Sequence, residues 1–100
     1  MKAKIKRKQI LTTLSKFRDA KRDEFGIVRI GVFGSAARDD MKATSDVDVV
    51  VQLARPDLFA LVGIKQDLES LLHCPVDIVR YRERMNPTLK SRIQHDVVYV

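Results

Sequence analysis

The sequence predicts one α/β (α+β) domain in which helices pack on a mixed sheet of three or four strands. The 100-residue chain has the length of one domain and leaves no room for a second hydrophobic core. Apolar residues recur at helical spacing in some segments and form short β-branched runs in others. These segments alternate along the chain, an order that is typical of helices packed on a sheet.

The first half of the chain predicts a helix followed by two strands. The helix covers about residues 5–24, where four apolar residues recur at helical spacing: Ile10, Leu11, Leu14 and Phe17. Gly26 follows it as a stop signal. Two runs rich in β-branched residues, 27–33 and 46–53, predict strands joined by a twelve-residue connection.

The second half predicts a helix, a strand, another helix and an edge strand. Asp57 is placed to cap a helix whose apolar side chains line one face: Leu58, Leu61, Val62, Leu68 and Leu72. Residues 76–80 form a short β-rich run that predicts the third strand. Asn86 and Pro87 are a favourable helix start, and the terminal VVYV predicts an edge strand after a helix that ends at about Gln94.

Composition excludes several classes of protein. Hydrophobic residues at 45% and charged residues at 32% are typical of an ordered globular chain. The single cysteine, Cys74, excludes an internal disulfide framework and a thiolate metal cage, so we expect a reducing, cytoplasmic setting. No window approaches the roughly 18 apolar residues of a membrane span, and no apolar stretch follows the basic start. We therefore expect neither a membrane nor a secreted protein.

Positive charge is concentrated at the start of the chain. Residues 1–22 hold nine Lys and Arg and one Asp, a net charge of +8, whereas the remaining residues hold ten basic and twelve acidic side chains, a net charge of −2. Such a segment suits nucleic acid, an acidic protein or an anionic substrate, and a solvated helix face explains it equally well. Nucleic acid ranks last, because no recognition motif or aromatic platform accompanies the charge.

Two aspartates on the second predicted strand indicate a shared site. Side chains alternate along a strand, so the carboxylates of Asp46 and Asp48 share a face about 6–7 Å apart. At that distance they repel by roughly 2–3 kcal/mol at an effective dielectric near 20, a repulsion that a divalent cation would reverse. If the third strand is a neighbour, Asp77 lies within about 5 Å of the pair. Three carboxylates suit Mg²⁺ or Mn²⁺ better than Zn²⁺.

A Gly-Ser turn precedes the aspartate pair. Gly34 and Ser35 end the first predicted strand and are placed to open a short helix through residues 36–38. Unpaired amides at such a helix start, together with a serine hydroxyl, suit a phosphate group. A plain turn and surface aspartates explain each feature alone. They do not explain why a phosphate-binding turn and a carboxylate pair fall on adjoining strands.

Gly34-Ser35, ten intervening residues and Asp46-Val47-Asp48 resemble the GSx10DxD signature of the nucleotidyltransferase superfamily. The later Val76-Asp77-Ile78-Val79 is similar to that of the minimal nucleotidyltransferases, and the resemblance covers residues 1–100 as a single domain. It implies the small nucleotidyltransferase fold.

The resemblance also implies roles for six residues. Gly34 and Ser35 bind the β and γ phosphates of ATP, and Arg38 reaches the same phosphates. Asp46 and Asp48 hold two Mg²⁺ ions, with Mn²⁺ as an alternative. Asp77 shares in metal binding and activates the attacking hydroxyl.

The partner implied by the resemblance is a HEPN-domain protein. In characterised pairs of this kind the nucleotidyltransferase, as the antitoxin, moves AMP from ATP onto a tyrosine of the HEPN ribonuclease toxin. We expect the acceptor on another chain, or as a small molecule, because so small a domain leaves little beyond the nucleotide site. The resemblance leaves two kinds of assembly as alternatives, one of this chain with itself and one with the partner.

One departure from the family pattern bears on activity. Many relatives have glycine directly after the arginine, where this chain has Asp39 followed by Asp40. Two acids near a triphosphate are unfavourable unless they point outward; Lys42 is either a compensating charge or a solvated loop residue. If the acids spoil phosphate binding, the alternative is a binding module that inhibits a toxin by contact, through the basic segment 1–22.

Overall fold

A computed structural model describes residues 6–40 and 46–100. Its elements are, in chain order, α1 (Arg7–Phe25), β1 (Ile27–Phe33), β2 (Val47–Leu53), α2 (Leu58–Leu72), β3 (Val76–Arg80), α3 (Pro87–Asp96) and β4 (Val98–Tyr99). The order is the one predicted, and the ends differ by one or two residues. Asp46 lies just before β2 instead of inside it. None of the helices in these two ranges is long and apolar enough to cross a membrane.

The four strands form one mixed sheet in the order β3-β2-β1-β4. Strand β1 runs antiparallel to β2 and β4, whereas β2 and β3 are parallel. A parallel pair needs a crossover connection, which α2 provides. The valine-rich sequence of β2 follows from its surroundings, because apolar clusters lie on both faces of this strand.

One face of the sheet packs against α1 and α2 and is apolar. Side chains of β2 that point to it are Val47, Val49 and Val51, all with 0% exposure. The helices contribute the other side of this core with buried residues that follow helical spacing: Ile10, Leu14 and Phe17 from α1, and Ala60, Ile64, Leu68 and Leu72 from α2. We call this surface of the sheet the α1/α2 face.

The opposite face, which we call the α3 face, has a smaller core. Ile93 of α3 packs with Phe33 and Val50 at its centre. Because side chains alternate along a strand, Asp48 and Gln52 point to the same face as Val50, on either side of it. The α3 face therefore has an acidic end at Asp48 and a polar end at Gln52, with the apolar Val50 between them.

The polar end of the α3 face is occupied by an arginine held between two tyrosine rings. The guanidinium carbon of Arg29 lies 5.1 Å from the ring centroid of Tyr81 and 4.3 Å from that of Tyr99, and its Nε donates to Gln52 Oε1 at 2.8 Å. Such cation–π contacts join β1 to β4 and to Tyr81, the residue directly after β3. The cluster is separated from the acidic end by the apolar centre.

The helix ends follow the predicted capping residues. The Asp57 side chain accepts a hydrogen bond from the Ala60 amide at the start of α2. Asn86 caps α3 in the same way, with Pro87 in the first turn. His73 ends α2 in a left-handed conformation.

Candidate active site

The phosphate-binding turn predicted from the sequence lies against an acidic side chain. Phe33, the last residue of β1, pairs with Asp48 of β2, so the chain leaves β1 beside the Asp48 carboxylate. Gly34 follows with φ +67°, and a Cβ atom built on it would lie 2.6 Å from Asp48 Oδ2. Glycine is required there both for its backbone conformation and for space. The Gly-Ser turn therefore lies beside Asp48, one member of the predicted aspartate pair.

Residues 34–40 form a hydrogen-bonded turn and not the short helix that the sequence predicted. The Arg38 amide donates to the Gly34 carbonyl at 3.2 Å, which closes one helical turn. The helix does not continue, because Asp39 adopts a left-handed conformation with φ +58°. The amides of residues 35–37 occupy the first-turn positions, which have no carbonyl partner within the turn. They can donate to an anion as helix-start amides do.

Two carboxylates of the acidic end lie side by side. Asp48 and Asp77 are register partners on the parallel strands β2 and β3, so their Cα atoms are about 4.8 Å apart. Burial raises the pKa of Asp48, and the charges of Asp77 and Asp46 raise this pKa further. The positive charge of Arg92 opposes the shift. Arg38 opposes it as well, to a smaller extent.

The expected cluster of three carboxylates is not preformed. Within residues 6–40 and 46–100, no three or more Asp, Glu, His or Cys side chains form a group ready to hold a metal ion. Asp46 lies outside the strand that positions Asp48, which is the physical reason for the difference. The adjacent Asp48 and Asp77 still fit Mg²⁺, because this ion usually takes one or two carboxylates and completes its shell with water and substrate phosphates.

Arg38 lies at the rim of the site in two ion pairs. Its Nε is 3.3 Å from Asp40 Oδ2, and its Nη1 is 2.7 Å from Asp96 Oδ2 at the end of α3. These carboxylates, Asp40 foremost, raise the pKa of Arg38. Asp96 also bonds His95 Nδ1 at 2.8 Å, and this hydrogen bond, more than the contact with Arg38, lowers the pKa of Asp96. A nucleotide must compete with both carboxylates for Arg38.

The two acids that depart from the family pattern are both engaged. Asp39 Oδ1 accepts a hydrogen bond of 3.1 Å from the amide of Arg7, the first residue of α1, and Asp40 pairs with Arg38. The left-handed backbone at Asp39 explains why glycine suits this position, and aspartate tolerates that conformation better than most residues. Lys42, the predicted compensating charge, lies outside the described residues.

Comparison with known proteins agrees with this geometry. Residues 14–100 match the family model described as a nucleotidyltransferase domain. The chain belongs to this nucleotidyltransferase family. Among its relatives is the protein adenylyltransferase MntA of Thermococcus cleftensis, which is 37% identical over 97 residues, with 92% of this chain and 93% of MntA covered.

Solved structures of toxin–antitoxin pairs contain chains similar to this nucleotidyltransferase. One pair, solved with AMP-PNP, includes a chain that matches with a TM-score of 0.71 and 26% identity over 86% of this chain and 70% of that chain. A mutant MntA-HpeT toxin–antitoxin pair includes a chain that matches with a TM-score of 0.66 and 26% identity, over 86% and 68% of the two chains. These matches confirm the predicted minimal fold.

Three residues near the nucleotidyltransferase site were not singled out from the sequence. Arg92 and Asp96 lie one helical turn apart on α3, near Asp48 and Arg38 respectively. The predicted helix α3 could have identified them, because Ile93 is its buried residue and Arg92 and Asp96 lie close to Ile93 along the helix. Arg7 reaches the site only because α1 begins beside Asp39, a contact between residues 32 positions apart that no local pattern predicts.

Proposed function

We propose that this nucleotidyltransferase moves AMP from ATP to a hydroxyl group of a partner protein, a tyrosine of a HEPN-type toxin, and is the antitoxin of that pair. One observation carries the proposal. The contact between Gly34 and Asp48 brings a turn, whose first amides have no carbonyl partner within the turn itself, against the acidic pair Asp48 and Asp77, the arrangement that a metal–nucleotide complex needs. The similarity to the adenylyltransferase MntA and to a toxin–antitoxin pair solved with an ATP analogue supports it.

The turn supplies the phosphate-binding groups. The amides of residues 35–37 and the Ser35 hydroxyl donate to the β and γ phosphates of ATP. Arg38 exchanges Asp96 and Asp40 for phosphate oxygens, an exchange between charge-assisted hydrogen bonds of similar kind. The turn therefore orients the triphosphate before any chemistry takes place, which is the main demand of this type of reaction.

The acidic end supplies the metal ligands and a proton acceptor. Asp46, Asp48 and Asp77 would hold two Mg²⁺ ions, which neutralise charge on the phosphates when bound. The oxygen of the acceptor hydroxyl attacks the α-phosphorus, and the bond from that phosphorus to the bridging oxygen of the β phosphate breaks. Asp77 takes the proton of the hydroxyl, and pyrophosphate leaves with the electron pair of the broken bond.

The test is AMP transfer to the copurified partner. We expect the partner to gain the mass of AMP when the complex is given ATP and Mg²⁺, measured by intact-protein mass spectrometry. Asp46→Asn lowers the rate by on the order of a hundredfold or more, because it removes a ligand of the metal ions that neutralise the charge on the phosphates. Asp57→Asn makes the same chemical change at the start of α2, away from the site, and keeps the wild-type rate. Wild-type transfer by Asp46→Asn would contradict the proposal.

Inhibition by contact alone is the second candidate function. The start of α2 presents Leu58 at 73% exposure and Phe59 at 86%, and exposed apolar side chains of this size favour a protein contact. ATP with Mg²⁺ separates the two functions. At an ATP concentration about 100-fold above Kd, the melting temperature of an enzyme rises by about 10 °C or more, whereas that of a contact inhibitor does not change.

A further inference from the structure

We propose that Asp39 is a positioning residue that holds the phosphate-binding turn, residues 34–40, against the start of α1. The inference rests on the proposed nucleotide-binding role of the turn. The observation behind it is the hydrogen bond from the Arg7 amide to Asp39 Oδ1, which joins the turn to α1.

The contact adds to the capping of α1. The first amides of a helix have no partner within it, and acceptor side chains usually satisfy some of them. At the start of α1, Gln9 Oε1 accepts a hydrogen bond of 3.1 Å from the amide of Lys6, the N-cap residue, and the first turn contains no acidic residue. Asp39 Oδ1, from a distant part of the chain, accepts from the next amide, that of Arg7, at 3.1 Å. A carboxylate also suits the positive end of the helix.

The backbone at Asp39 shows why the contact matters. A φ of +58° is strained for a residue with a Cβ atom and unstrained for glycine. Glycine would therefore give the same turn with less strain but without the hydrogen bond to α1. Aspartate at this position therefore has a more strained backbone than glycine would have, but its side chain forms a hydrogen bond to α1.

The contact ties the last part of the turn to α1, in addition to the ion pair of Arg38 with Asp96. Gly34 is held by β1 and by the Asp48 carboxylate at one end, and Asp39 is held by Arg7 at the other. The amides of residues 35–37 and the side chain of Arg38 lie between these two fixed points. A turn held at both ends binds a triphosphate with less loss of conformational freedom. The engaged carboxylate is also beside the positive end of α1, which reduces its repulsion of the phosphates.

Two substitutions at Asp39 separate the hydrogen bond from the backbone conformation. Asp39→Asn keeps an oxygen acceptor and tolerates the left-handed conformation, so we expect its ATP affinity to stay within about twofold of wild type. Asp39→Gly keeps the conformation and loses the contact, so we expect ATP to bind about 3–10-fold more weakly. The Kd is measured by direct titration with ATP and Mg²⁺, and transfer assays should show the change in KM and not in kcat.

Asp57→Gly is the matched control. It removes the corresponding cap from α2, away from the turn, so it lowers the melting temperature in a similar way and leaves the ATP Kd unchanged. Asp39→Gly with wild-type affinity would overturn the proposal. So would Asp39→Asn that binds ATP as weakly as Asp39→Gly, since the charge and not the hydrogen bond would then matter. Because Kd is measured without transfer, failure of AMP transfer alone contradicts the proposed function and leaves the role of Asp39 standing.

Discussion

The two faces of β2 differ in composition and in what they contribute. Toward α1 and α2 the strand presents three fully buried valines, Val47, Val49 and Val51. Toward α3 it presents Asp48, Val50 and Gln52, of which the first and last are only partly buried. A two-residue period thus places a hydrophobic core and a charged site on the same seven residues. Stability and chemistry are separated by side-chain direction, and not by position along the chain.

The difference has an energetic consequence. Each valine that points to the α1/α2 face contributes about 1.5–3 kcal/mol through burial of apolar surface. On the α3 face, Asp48 is removed from water beside the register partner Asp77, and this disfavours its ionised form. The acidic end therefore lowers the stability of the free protein. The apolar face offsets that loss, as is typical of functional sites.

Asp48→Asn should give the largest effect, because it removes the charge from the site side of β2. We expect the AMP-transfer rate to fall by on the order of a hundredfold or more, since a metal ligand is lost. The same substitution should raise the melting temperature of the metal-free protein by about 1–5 °C, because the partly buried charge and its repulsion by Asp77 are removed. Transfer is followed by mass spectrometry and stability by thermal unfolding. A melting temperature below that of wild type would show that Asp48 stabilises the fold.

Val49→Ala changes the neighbouring residue, which points to the opposite face. We expect it to lower the free energy of unfolding by about 1.5–3 kcal/mol, since a fully buried side chain loses two methyl groups. Below its unfolding transition, the variant should keep the wild-type KM for ATP. Denaturant unfolding and steady-state kinetics measure the two effects. A changed KM in folded Val49→Ala would mean that the two faces are coupled through the strand.

Local sequence patterns predicted most of the fold. The β1 and β3 boundaries were predicted to the residue, because each run of β-branched residues ends at glycine or begins after proline. Asp57 and Asn86 marked helix starts, since their side chains accept from amides two or three residues ahead. The side-by-side position of Asp48 and Asp77 followed once β2 and β3 were taken as neighbours.

The two contacts that join the turn to α1 and α3 were not predicted. The hydrogen bond from Arg7 to Asp39 and the ion pair of Arg38 with Asp96 join residues 32 and 58 positions apart. Such pairs depend on how α1 and α3 meet the turn, which no pattern along the chain records. The left-handed conformation of Asp39, which stops the expected short helix, depends on the same packing. The sequence therefore predicted which residue types form the candidate site, but it did not predict the contacts that hold the turn in place.

The stability difference between Asp48→Asn and wild type should depend on pH. A raised carboxyl pKa means that the folded state prefers the protonated form, so this group's contribution to stability is present below its ordinary pKa of 3.8 and is lost as pH rises through the folded pKa. At about pH 4 the two proteins should melt within about 1 °C of each other, and in EDTA the variant should gain as pH is raised toward neutrality. Millimolar Mg²⁺ at neutral pH should raise the melting temperature of wild type and not that of Asp48→Asn, since only the ionised carboxylate binds the ion. A pH-independent difference would mean that the carboxylate of Asp48 is already neutralised by Arg92, and that the contrast between the two faces of β2 is one of shape and not of charge.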